Sequence, residues 1–402
     1  MLSEEKPLVM KELNPKFSQG RWIILCWLSV FWLLACQPQN KTDDTHQSNQ
    51  SYSSKTIITH AIGFDIIDYQ DWRELLLFRH YNDFVDTVRF ALVTEKAQAP
   101  TTFQENQVIQ LPVKRIGALS TTHLPMFNLL EATENLVAVE TRRYIYNEEI
   151  RALVDNGSIT ELAPSGKLNL EMTLASDLDL LMGVGYPNSQ NDDYQTLQRT
   201  GLSVVMNADW QEKTLLGRAE WIKLLGVLLG KEEQANVVFA EIEIAFNETL
   251  ALVEEKVSSG PSVVTGLADG DSWYVAGGNS FANHILQVAK TSYPWAATES
   301  TGSVRLDFET VYQQGLTADY WLVPSTAKTM EEIIQADERY QDFCSFKTGQ
   351  IYNIYGRYRP NGGNDYYESA VMAPHVVLKD VVKIFHPELL PDHELVYYNQ
   401  LR

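Results

Sequence analysis

Thiols are the first groups to test for chemistry. The chain holds Cys26, Cys36 and Cys344. Cys26 lies inside an apolar run and Cys36 ends it, so a mature chain beginning at Cys36 keeps only Cys344 as a free thiol. One thiol forms no intrachain disulfide and no cysteine-based zinc or iron–sulfur site. A lone cysteine is ordinarily a packed small hydrophobe. The histidines (His46, His60, His80, His123, His284, His375, His386, His393) are scattered, with no pair four residues apart. No Gly-x-Ser-x-Gly elbow, P-loop or His-Glu-x-x-His is present,. Gly277-Gly278-Asn279-Ser280 has the outline of a nucleophile turn, but no base can be paired with it,. Two glutamates stand out by position. NLEMTLASDLDLLMG and DFETVYQQGLTADYWLV share one order: glutamate, apolar helix, acidic residue, apolar strand. Glu171 and Glu309 therefore each open a helix that precedes a strand, where the helix dipole favours an acid.

The elements that carry these residues begin with a leader. Lys6, Lys11, Lys16 and Arg21 precede the apolar run Trp22–Ala35. At 14 residues this run is short of the roughly 20 needed to span a bilayer,. A basic leader, a short apolar stretch and a small residue make a secretory signal. Leu33-Leu34-Ala35-Cys36 resembles the lipobox of bacterial lipoproteins, which implies cleavage before Cys36 and its lipidation. More than one acyl chain on that residue anchors a protein stably. The signal removes four basic and three acidic residues, so the mature chain carries −21 against −20 for the whole. Such a charge repels nucleic-acid phosphates, and no basic patch offsets it.

Residues 36–55 form a polar tether with too few apolar residues to pack,. Residues 56–111 read as a β-rich extension. Its strands are TIITHAIGFDII and VDTVRFALVT, separated by a Trp-Arg-Glu-rich stretch,. Strand and helix signals alternate over 112–230, the pattern of a parallel sheet flanked by helices. Ser120-Thr121-Thr122 supplies caps for a helix through His123–Glu131,. Residues 231–257 contain no Gly or Pro and form one helix of roughly 40 Å, long enough to join two lobes,. Over 258–402 the α/β pattern restarts and ends in a helix from Pro374 to Phe385.

This arrangement resembles the substrate-binding proteins of ABC importers for iron-siderophores, haem and vitamin B12, the class III periplasmic binding proteins. Four segments carry the resemblance, over roughly Pro112 to Phe385: RIGALSTTHLPMFNLLEATENLVAVE, NLEMTLASDLDLL, WYVAGGNSFANHILQVA and APHVVLKDVVKIFHPELLP. The chain departs from the family pattern at Asp177, usually Pro, at His375, often Asp, and at Lys290-Thr291, commonly Gly-Gly.

The resemblance implies an α/β fold of two lobes, each a mostly parallel sheet flanked by helices, joined by one long helix. It implies a ligand cleft between the lobes. The cleft should be lined by strand-to-helix turns, which here supply Thr121, Thr122, His123, Tyr186, Trp210, Trp273, Tyr274, Asn279, Arg357 and Arg359,. Aromatic faces suit a planar or macrocyclic ligand, and arginines suit carboxylates. Glu171 and Glu309 are implied to dock on arginines of a membrane permease driven by its ATPase. The expected protein is a lipid-anchored periplasmic monomer without catalytic residues, protein-held metal or intrinsic cofactor. It captures a ferric chelate, haem or a corrinoid for an ABC permease. A metal-ion-binding lipoprotein, a surface-anchored hydrolase and a structural lipoprotein are the competing readings.

Overall fold

Short apolar runs set the first sheet. Leu180–Gly183 and Ile116–Ala118 are buried along their whole length, as strands covered on both faces should be,. In the computed structural model, which describes residues 54–55, 57–80, 85–185, 190–324, 326–360 and 362–402, they lie in a five-stranded sheet. Its order is Ser203–Met206, Leu180–Gly183, Ile116–Ala118, Leu136–Val139 and Thr160–Glu161, and every pair is parallel. The leader, Cys36 and the tether up to residue 53 lie outside the described residues. The helix after Ile116–Ala118 is shorter than its sequence suggests. A 3-10 turn at Thr121–His123 leads into Leu124–Leu129, and Glu131 already has a positive φ.

In the second lobe Val263–Thr265, Tyr320–Val323 and Ile351–Asn353 are parallel, and Asn399–Gln400 adds an antiparallel edge. Beside them stands an antiparallel sheet of Ala268–Asp269, Ser272–Ala276 and Ser303–Asp307. This lobe's core is aromatic. Trp273, Trp321, Tyr340 and Phe343 are mutually packed, with the Trp273 and Trp321 rings 5.9 Å apart.

The long helix runs from Glu232 to Lys256, 25 residues. At 1.5 Å per residue that is about 37 Å. Its buried stripe Ala235, Phe239, Ile242, Phe246, Thr249 and Val253 advances by alternating fours and threes, one face of a helix,. That face packs on the wholly buried helix Leu215–Leu229 and on Pro374–Phe385. Gly226 permits the approach, because a Cβ there would lie 2.4 Å from that of Ala235. Among the described residues no helix is long and apolar enough to cross a membrane.

The extension is a second five-stranded sheet, ordered Ser54–Lys55, Phe64–Asp68, Arg73–His80, Val85–Val93, Val108–Gln110. It corrects one reading: the Trp-Arg-Glu-rich stretch is the middle strand, not a separator. The charges disguised it. Leu75 and Leu77 face the core, while Glu74, also buried, is neutralised by Arg89 on the next strand and receives the Tyr69 hydroxyl at 3.0 Å. The extension shares one apolar core with the first lobe, and the Phe64 and Trp221 rings are 4.8 Å apart.

Candidate functional site

The carboxyl ends of the first-lobe strands run directly into a cavity of about 310 Å³. Ser120 and Thr121 follow Ile116–Ala118, and Glu140 follows Leu136–Val139; Tyr144 lies on the same loop as Glu140. The opposite wall is Asn364 and Tyr367, from the segment between Ile351–Asn353 and Pro374–Phe385. The volume falls in the range of small-molecule sites. A second cavity of about 570 Å³ opens along the same seam, with a mainly apolar wall of Leu124, Leu129, Tyr146 and Met372 and with Arg357 and Arg359. A third, of about 550 Å³, touches Lys114, Asp179 and Leu202 at the amino ends of the strands, away from the seam.

Between the two seam cavities the lobes are fastened. Thr121 Oγ1 donates to the Tyr367 carbonyl at 2.8 Å. The Glu368 carboxylate accepts the N–H groups of Tyr146 at 2.6 Å and Asn147 at 2.9 Å. Burial pushes that carboxyl up to about 7, with the two N–H donors only partly offsetting it,. Arg359 Nε donates to the Tyr146 carbonyl at 2.7 Å and its guanidinium pairs with Glu148. Arg357 pairs with Asp365 at 2.7 Å and lies over the Tyr146 ring.

The expected ligand residues divide among several places. Thr121 lines the cleft, and Arg357 and Arg359 line the neighbouring cavity with their charges already matched. Thr122 sits behind the cleft and donates to Asp209 at 3.0 Å; Asp209 is itself held by Arg218 at 2.8 Å. The Arg218 guanidinium lies 4.0 Å from the Phe281 ring of the other lobe. His123 is 0 % exposed, and burial lowers its imidazole to about 4 despite the nearby Asp209 charge. It is a neutral core residue rather than a cleft group. Trp210 is half-buried and donates to the Val184 carbonyl at 2.8 Å.

Trp273, Tyr274 and Asn279 of the second lobe line neither seam cavity. Trp273, 0 % exposed, is the centre of the aromatic core and donates to the Thr265 carbonyl at 2.9 Å. Tyr274, its neighbour on the strand, points outward beside Arg305. Asn279 closes a turn by donating from Nδ2 to the Glu299 carbonyl at 3.0 Å. Gly278 is required in that turn, since a Cβ would meet the Thr298 carbonyl at 2.1 Å. Ser280 is buried, donates to the Gly277 carbonyl at 2.6 Å and caps Phe281–Val288, so it is no nucleophile. Tyr186 lies outside the described residues. Glu140, Tyr144, Asn364 and Tyr367 join the site without a place among the expected residues. The carboxyl-end rule names Glu140 as directly as Thr121, but the other three sit on irregular loops without a pattern.

Glu171 and Glu309 occupy matching positions. Each is exposed in the first turn of its helix, Leu170–Ala175 or Phe308–Gly315, behind the caps Asn169 and Asp307. They differ in company: Glu309 accepts from Arg339 at 3.1 Å, whereas Glu171 has no side-chain partner among the described residues.

Parallel strands with a ligand-sized cavity at their carboxyl ends, two lobes and one long joining helix define a solute-binding protein. The chain belongs to the periplasmic binding protein family, which it matches over residues 116–358. It is a family of binding proteins, not enzymes. An uncharacterised lipoprotein of Methanocaldococcus jannaschii is 25% identical over 394 residues, covering 91% of this chain and 95% of its own. Solved structures share the fold. A periplasmic binding protein from Veillonella parvula has a TM-score of 0.57 at 13% identity, over 78% of this chain and 98% of its own. Helicobacter pylori CeuE, solved with Ni(II) bound, has 0.55 at 15% identity, over 72% and 92%. The periplasmic haem-binding protein RhuT of Roseiflexus sp. RS-1 has 0.52 at 16% identity, over 69% and 99%.

Proposed function

We propose that this protein is the receptor of an ATP-driven importer, binding a metal chelate, haem or a corrinoid between its lobes. The observation that carries the reading is the cavity at the carboxyl ends of the first-lobe strands, closed from the other side by Asn364 and Tyr367. The nickel and haem named for its structural relatives support the ligand class. The lipoprotein name of its sequence relative supports an anchor at Cys36 and a place outside the cytoplasm, held to a membrane by lipid. Glu171 and Glu309 are the proposed docking charges for the permease. The Arg339 pair on Glu309 does not disqualify it, because exposed ion pairs are worth at most about 1 kcal/mol. Absorbance titrations with haemin, cobalamin and ferric chelates test the reading, and saturable binding of one class is expected. Reversing both glutamates to lysine should abolish uptake by cells and leave that affinity unchanged; intact uptake removes the docking role.

A further inference from the structure

Among the described residues Glu140 is the one carboxylate that lines the 310 Å³ cavity, and its side chain has no hydrogen bond or ion pair there. It is half-buried, and burial raises its pKa. Removing a charge from water without a partner is unfavourable, so such a group favours a counter-charge beside it. The other titratable groups of the cavity are Tyr144 and Tyr367, exposed by 50% and 46%. The Arg143 guanidinium is exposed, outside the cavity lining, 5.5 Å from the Tyr144 ring centroid. That contact shows what the ring face attracts. The two arginines suited to anionic ligands are elsewhere, already matched by Asp365 and Glu148. A chain of charge −20 adds a field that repels polyanions,.

We propose that the cleft selects a positively charged cargo, seated with a cationic group on the Glu140 carboxylate beside the Tyr144 and Tyr367 rings. The class this fits is a metal chelate with a free ammonium, of the hydroxamate kind, rather than a polyanionic catecholate. The inference rests on the receptor reading above and narrows it.

Two probes separate the classes: ferrioxamine B, which keeps a free ammonium, and a trianionic ferric tris-catecholate. Binding is read by quenching of tryptophan fluorescence in the mature protein, with circular dichroism to verify folding. Ferrioxamine B should bind the more tightly and weaken with added salt. Glu140→Gln should weaken it roughly 10-fold, the scale of one charge-assisted hydrogen bond. Glu140→Lys should reverse the order of the two probes. Equal or tighter binding of the tris-catecholate, or an unchanged ferrioxamine B affinity in folded Glu140→Gln, overturns the cationic-cargo inference and leaves the receptor intact. Failure of both chelates, haemin and cobalamin to bind folded protein overturns the receptor reading and the inference together.

Discussion

At the amino end of the fold, Glu220 on helix Leu215–Leu229 accepts the N–H groups of Thr59 at 2.9 Å and of His60 and Ala61 at 2.7 Å. At the carboxyl end, Asp380 on helix Pro374–Phe385 accepts those of Val396 at 3.0 Å, Tyr397 at 2.6 Å and Tyr398 at 3.2 Å. Both carboxylates are 0 % exposed, and both helices flank the long connecting helix. Both captured segments lie outside the family match. The surroundings differ. Glu220 also holds Lys223 at 2.7 Å, and a second acid, Glu212, takes the N–H groups of Ile62 and Gly63 and the Trp221 indole, all at 2.9 Å. Asp380 has an imidazole, His393, at 2.7 Å. A fixed ammonium lets one buried carboxylate stay ionised while its neighbour without one resists ionisation. Burial alone would raise Glu220, but Lys223 and the N–H donors together hold it below the usual range, whereas burial wins at Glu212 and raises it,.

The largest effect expected from this comparison is at the paired acid. Glu220→Ala removes the only carboxylate paired with Lys223 among the described residues, leaves three N–H groups without their acceptor and should cost about 3–5 kcal/mol, the range for breaking a buried pair,. Asp380→Ala strands N–H groups but no lysine and should cost about 2–4 kcal/mol. Urea denaturation of both variants checks the order, and an inverted order breaks the comparison.

Between the two acids of the amino end, the pH dependences should have opposite signs. A raised carboxyl such as Glu212 contributes stability below its unfolded range and loses it as pH rises. A lowered one such as Glu220 contributes above that range and loses it as pH falls. The advantage of wild type over Glu212→Gln should therefore shrink on going alkaline, and that over Glu220→Gln on going acid. Melts across roughly pH 4–8 read both changes, each on the scale of about 1 kcal/mol; matching signs would show that Lys223 does not govern the site.

The smallest effects compare the lobes at two of the three departures from the family pattern. Asp177 and Lys290 have φ of 50° and 59°. Left-handed backbone costs an L-residue about 1–2 kcal/mol, and Asp tolerates it better than Lys. Lys290→Gly should raise stability by about 1 kcal/mol, and Asp177→Gly by less, as read from thermal midpoints.

Regular periodicity made much of the fold legible. The Glu232–Lys256 helix and the Pro374–Phe385 helix follow from their apolar spacing, and the buried strands of the first lobe from short aliphatic runs. Arg73–His80 escaped because its buried Glu74 reads as a surface charge until Arg89 is seen beside it. The antiparallel pair Ser272–Ala276 and Ser303–Asp307 escaped because the two strands are separated by a helix and a long loop. The lining of the candidate cavity was legible where a strand ends and a turn begins, at Thr121. It was misleading at Trp273, where a large aromatic near a turn marks the core of a lobe. It was silent at Tyr367, which reaches the cleft only because residues 362–368 fold back onto the other lobe.

The five successive N–H groups of residues 59–63 are spent on two side chains of the same molecule. A peptide in that condition has no row of donors left to offer a neighbour's sheet. Extended segments at chain ends are ordinary seeds for edge-to-edge association. Here the carboxylates that fasten the end of the fold also make it a poor template for aggregation.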